Sequence, residues 1–141
     1  MIRTCGRALV AWCAVLALAF VNGALRELAL VPVMGPRGAL VASGLVLSLA
    51  ILGVALATVR WIGPVSAGQA LAAGSLWLAA TLAFEFGFGA LVQHRTMGEM
   101  LAAYSPDAWR AGNLWLAVLG VTWGALPLAW RVRLAAPLNP A

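Results

Sequence analysis

Four runs of about 20 mainly apolar residues dominate this chain, each long enough to cross the hydrocarbon core of a bilayer as a helix. They are Ala8–Leu30, Ala39–Val59, Gly68–Val92 and Gly112–Trp130. Breakers stand between them: Pro32 with Gly35-Pro36, then Gly63-Pro64, then the polar stretch from Gln93 to Arg110. Hydrocarbon offers no water to a backbone N–H or C=O, so a run this apolar must bond to itself, as a helix does. The expected fold class is all-α: a four-helix transmembrane bundle with a short interfacial helix before the fourth span, forming one domain over residues 1–141.

Composition closes off the soluble alternative. Hydrophobic residues make up 64% of the 141 and charged residues 9%, too few to clothe a soluble domain of this size. The lipid bilayer is thus the expected partner. The charge is basic, with nine Arg and Lys against four Asp and Glu for a net +5. Those cations are all arginines, placed singly or in pairs at the ends of apolar runs, with no basic stripe interleaved with aromatics. Nucleic acid is excluded as a partner, and the arginines read as membrane flanks. Arg3 and Arg7 before Ala8–Val21 have the outline of a signal peptide, but apolar character resumes at Leu28-Ala29-Leu30-Val31 and favours a retained span.

Local signals mark the long polar segment. Thr96 with Glu99 has capping-box spacing, and Met97, Met100, Leu101 and Tyr104 follow on one helical face. Ser105-Pro106-Asp107 then supplies a cap, a first-turn proline and an acid, which predicts that the fourth helix begins there.

Within the runs, Glu85 is the one deep ionisable residue, on a stripe with Trp77, Thr81 and Gly89. Counting from Ala8 and from Gly68 places Arg26 and Glu85 at matching depth, so the two are expected to pair. Asn22, Ser43 and Asn113 fall near the same level and complete an expected intramembrane polar cluster of Asn22, Arg26, Ser43, Glu85 and Asn113. It reads either as a structural pair holding helices in register or as a cavity for protons or a small solute. Gly120 and Gly124 form GxxxG on a small-residue face and are expected to pack against another helix. His94 stands alone without carboxylates or thiolates beside it, and Cys5 and Cys13 lie too early for a disulfide framework. No catalytic site, metal or cofactor is expected.

Several of these residues together resemble a group of uncharacterised small four-span bacterial membrane proteins. The similarity runs through Asn22-Gly23, Arg26-Glu27, Ser43-Gly44, Gly74 with Trp77, Leu101 with Tyr104, and Leu114-Trp115, and is most specific at Phe84-Glu85-Phe86-Gly87-Phe88-Gly89. The resemblance implies a four-helix membrane fold and brings no activity.

The function expected is that of a non-enzymatic membrane protein of the bacterial inner membrane, an accessory or assembly subunit working with its own copies or a larger complex. The alternative is a proton-coupled small-solute transporter acting as a homo-oligomer with Glu85 as the coupling carboxylate. Under an N-in topology the inside segments hold Arg3, Arg7, Arg60, Arg131 and Arg133 with no acid among them. The outside holds Arg26, Arg37, Arg95 and Arg110, offset by Glu27, Glu99 and Asp107. Both termini are therefore expected in the cytoplasm. A C-terminal fluorescent fusion should be bright and a C-terminal alkaline phosphatase fusion inactive; the reverse pattern refutes this orientation.

Overall fold

The computed structural model of the protein describes residues 1–135, and residues 136–141 lie outside them. The described residues contain helices and no strand. In chain order they are α1 (Ile2–Leu25), a π-helical turn (Arg26–Leu30), α2 (Val31–Ile62), α3 (Ala67–Leu91), α4 (Met97–Ala102), α5 (Pro106–Arg110) and α6 (Trp115–Ala135). Three stretches are long and apolar enough to cross a membrane: Ile2–Ile62, Ala67–Leu91 and Trp115–Leu134.

The first of these, at 61 residues, does not run straight. Pro32 was expected to end the helix, yet the chain stays helical through it. A proline has no N–H for the residue four before it, and its ring crowds that carbonyl. The π turn directly upstream, where Val31 N–H bonds to Arg26 O, shifts the hydrogen-bond register just before the proline. The break comes at Gly35, whose φ of 75° and ψ of 169° favour glycine, followed by Pro36. Beyond it the chain returns antiparallel. Arg7 Nη1 donates to Trp61 O at 2.7 Å, and Asn22 Nδ2 donates to Ser43 Oγ at 2.8 Å.

The other helix ends carry local signals, among them the Gly63 breaker and the Thr96–Glu99 spacing read from the sequence. Gly63 closes α2 in the left-handed conformation (φ 70°, ψ 46°), and Ser66 caps α3 by accepting from Gln69 N–H. Thr96 and Glu99 form a complete capping box on α4, and the Thr96 backbone bond holds the Glu99 carboxyl below the usual carboxylate range. Ser105 caps a helix that lasts only to Arg110, so the last long helix does not begin there. Gly112, at φ 94°, turns the chain with its backbone against Arg37 O, and α6 starts at Trp115.

Helix α1 packs on α2 and α3, and α6 packs on the same two from the other side. The core is built from small residues and a few large ones: Ala8 and Ala11 on α1, Leu47, Ile51 and Ala55 on α2, Trp77 on α3, Leu126 and Ala129 on α6. The outer surface is apolar too, with Leu28, Val33 and Leu91 at 80%, 82% and 79% exposure.

Two tryptophans lock α1 to α3. The fully buried Trp77 donates its indole N–H to Ala8 O at 2.7 Å, and Trp12 donates to Thr81 Oγ1 at 3.0 Å. Both pairs are 69 residues apart in sequence, so the helices run parallel at that offset.

Close backbone approach occurs at Gly74, not at Gly120 and Gly124. A Cβ at Gly120 or Gly124 would meet nothing within 4 Å, so the expected packing of this pair against another helix of the chain is not what the structure has. A Cβ at Gly74 would overlap the Trp123 carbonyl oxygen and crowd Pro127 Cδ at 3.2 Å. The reason lies in Pro127, inside α6. Lacking an N–H, it cannot bond the Trp123 carbonyl, and the bare edge of Gly74 fits against that oxygen.

Gly74→Ala should therefore destabilise the fold by about 1–3 kcal/mol through overpacking, despite the better helix propensity of alanine. Gly120→Ala should leave it unchanged or slightly more stable. Thermal unfolding of both variants in detergent checks this, and equal melting temperatures contradict the assignment.

Candidate functional site

A cavity of about 780 Å³ lies among α1, α2, α3 and α6. Asn22, Arg26, Ser43, Glu85 and Asn113 all line it. They are not joined as a single network: Asn22 and Ser43 bond to each other, while Arg26, Glu85 and Asn113 each bond to residues outside the set.

Arg26 does not pair with Glu85. Its Nε donates to Glu27 Oε1 at 2.9 Å, and that pair and Arg110–Asp107 are the ion pairs among the described residues. The helix register explains the difference. With the 69-residue offset fixed by Trp77 and Trp12, Glu85 stands level with Leu16, ten residues before Arg26. The ten residues from Leu16 to Arg26 rise about 15 Å. Part of that distance follows from α1 beginning at Ile2, six residues before its apolar run, and the rest from the offset set by the two tryptophans.

Glu85 is held from the other side. Tyr104 Oη donates to Glu85 Oε2 at 2.6 Å, and Trp115 Nε1 donates to the same oxygen at 3.0 Å, with the Tyr104 oxygen 3.2 Å away. Oε1 has no hydrogen-bond partner among the described residues, and no buried side-chain oxygen there is left unsatisfied. It therefore keeps accessible surface, on a residue that lines the cavity. Thr81, on the same stripe as Glu85, does not reach it: it accepts from Trp12 and donates to Trp77 O at 2.8 Å.

Two further polar groups are tied to helices. Asn22 reaches from α1 to both Ser43 Oγ and Ser43 O on α2. Asn113 Oδ1 accepts from Trp115 N–H at 3.0 Å, stabilising the first turn of α6 and so the indole that reaches Glu85.

Tyr104 and Trp115 were not assigned to the site from the sequence. Tyr104 sits on the apolar face of the α4 segment and Trp115 inside an apolar run, and nothing local points either at a carboxylate 19 or 30 residues away. The available signal was chemical, since a carboxylate this deep needs donors, and the chain has a single tyrosine. The placement of Tyr104 follows from α4: the buried Met100 sets its sulfur where a Cβ of Gly89 would be, and the Tyr104 ring stacks on Phe86 at 6.2 Å.

An aromatic wall lines the rest. Phe84 and Phe88 stack at 5.4 Å, Phe20 meets both edge-on at 5.7 and 5.9 Å, and Trp12 meets Phe84 at 6.4 Å. From Trp12 at one end to Arg26 at the other the cavity follows α1 for about 21 Å. Arg26, Glu27, Gln93 and Arg95 form its polar rim.

No group of residues suited to holding a metal ion occurs among the described residues. No protein-family model, curated protein or solved structure matches the chain.

Burial, followed by the hydrogen bond to Glu85, pushes the Tyr104 hydroxyl up from 10.0 to about 12. A raised folded-state value means that the stability from this contact is whole below about pH 10 and is lost as pH rises towards 12. As the sole tyrosine, Tyr104 alone gives tyrosinate absorbance near 295 nm. Its midpoint should lie near 12 in the native protein and fall in Glu85→Gln, where the negative charge is gone; a native midpoint near 10 refutes the contact.

Proposed function

We propose that the protein is an integral membrane protein of four crossings, with both termini cytoplasmic, whose non-catalytic work is to take a small molecule into the cavity around Glu85. In this reading α1, α2, α3 and α6 are the crossings, and α4 lies at the membrane surface. The support for four crossings is the antiparallel return at Gly35, which divides a 61-residue apolar stretch into two segments of membrane length.

Charge at the two ends supports the orientation. One end gathers Arg3, Arg7, Arg60, Arg131 and Arg133 without an acid, as contacts of Arg7 with Trp61 and of Arg133 with Leu56 place α1, α2 and α6 together there. An excess of cations without acids marks the cytoplasmic side.

The observation that carries the functional reading is the open oxygen of Glu85. A carboxylate whose partners are all on one of its oxygens, facing a cavity of about 780 Å³, fits the size and polarity of small-molecule sites better than a sealed structural contact. Proton-coupled transport remains a second reading on the same observation, since an oxygen free of protein donors is free to take up a proton.

Thiol labelling tests whether the cavity admits small molecules. In a background with Cys5 and Cys13 changed to serine, Ala19→Cys on the cavity wall should react with a water-soluble methanethiosulfonate added outside. Ala70→Cys, fully buried away from the cavity, and Leu45→Cys, on the apolar outer surface, should stay inert. Equal inertness of Ala19→Cys refutes an accessible site.

A further inference from the structure

Resting on the reading of this cavity as a ligand site, we infer that its ligand is a monovalent lipophilic organic cation, held between the open Glu85 oxygen and the aromatic wall of Trp12, Phe20, Phe84 and Phe88.

The sign of the ligand follows from where charge stands in the cavity. Four charged residues line it: Arg26, Glu27, Glu85 and Arg95. Three belong to the rim, where Arg26 is neutralised by Glu27 at 2.9 Å and one Arg95 nitrogen is occupied by Glu99 O at 3.0 Å. Below them Glu85 is the one charge. Its fixed donors, Tyr104 and Trp115, already supply Oε2, and neither is a cation. The carboxylate thus enters the cavity with its charge uncompensated. An anion placed at this depth meets a bare negative group, while a cation supplies the missing counter-charge in surroundings of low dielectric, where the interaction is stronger than in water.

Hydrophobicity follows from the walls. Apart from Glu85 and the side chains of Asn22, Ser43, Thr81, Asn113 and Thr122, the inner cavity is walled by aromatic and aliphatic groups. A strongly hydrated ammonium exchanges its full water shell there for a few scattered oxygens. A cation whose charge is buried under hydrocarbon or aryl groups loses little hydration and gains ring contacts, the same chemistry by which aromatic surfaces recognise quaternary ammonium groups. Phe20, Phe84 and Phe88 form a continuous patch, and a flat or propeller-shaped aryl cation covers such a patch by stacking and edge contacts.

Two ions of one shape and opposite sign test this directly: tetraphenylphosphonium and tetraphenylborate, measured by equilibrium dialysis against the full-length protein in detergent with protein-free micelles subtracted. Saturable tetraphenylphosphonium binding is expected, with affinity lowered at least about tenfold by Glu85→Gln and about three- to tenfold by Phe20→Leu. Phe20 is half-exposed, so its leucine variant keeps the fold and decides the question even where Glu85→Gln does not fold. Tetraphenylphosphonium binding indifferent to either change in a folded variant overturns the inference. Saturable tetraphenylborate binding that is lost in Arg26→Gln or Arg95→Gln also overturns it, while leaving the cavity as a ligand site. Absence of saturable binding by both ions overturns the inference and, together with an inert Ala19→Cys, the proposed function as well.

Discussion

The register between α1 and α3 governs everything else in this molecule, and two indole N–H groups set it. Trp77 is fully buried and Trp12 half-buried, and leaving a buried donor unbonded costs about 1–3 kcal/mol. Trp77 finds Ala8 O, and Trp12 finds Thr81 Oγ1. Sliding one helix along the other by a turn would strand both donors at once. Apolar packing between helices is tolerant of such slides in a lipid-like environment, because side chains exchange one apolar neighbour for another. The tryptophans remove that freedom, and with it the depth of Glu85 relative to every group on α1 is fixed.

The second half of the assembly depends on α6, and there a defect in one helix is matched to a gap in another. Pro127 deprives Trp123 of its helical hydrogen bond, and Gly74 has no side chain to keep α3 away from the exposed carbonyl. The side chain of Trp123 adds a bond to Ser75 Oγ at 3.1 Å beside it. At the far end of the same helix pair, Trp115 reaches Glu85. The antiparallel contact of α3 and α6 is thus pinned at both ends, and the carboxylate sits at one of the pins.

Much of the local structure was legible because it is encoded locally. The Gly63 breaker, the Thr96–Glu99 box and the cap at Ser105 are signals within four residues, so sequence spacing alone locates them. Which face of each long helix turns inward was not legible. On α2 the buried Leu47, Ile51 and Val59 are no more apolar than the exposed Leu45, Val46 and Leu49, so no periodic contrast marks the inner side. The same lack of contrast made Gly120-x-x-x-Gly124 look like an inner seam when no neighbour stands there. The residues of the polar cluster were recognisable by type, since each is costly in an apolar run. Their partners were not, because the distance from Leu16 to Arg26 depends on the true start of α1 and on two long-range tryptophan bonds.

The identity of Glu85's partners bears on what the carboxylate is able to do. An arginine beside it would have compensated its charge and closed the site, since a well-formed guanidinium–carboxylate pair occupies both oxygens. Tyr104 and Trp115 instead bond to one oxygen and bring no charge. They orient the group through one oxygen and leave the other without a protein donor among the described residues. Tyr104 comes from a segment held by Met100 in the notch at Gly89 and by the ring contact with Phe86, so the hydroxyl is delivered by packing that does not itself enter the cavity wall. Orientation comes from one side and access from the other, a division of roles that a buried ion pair between Arg26 and Glu85 would have prevented.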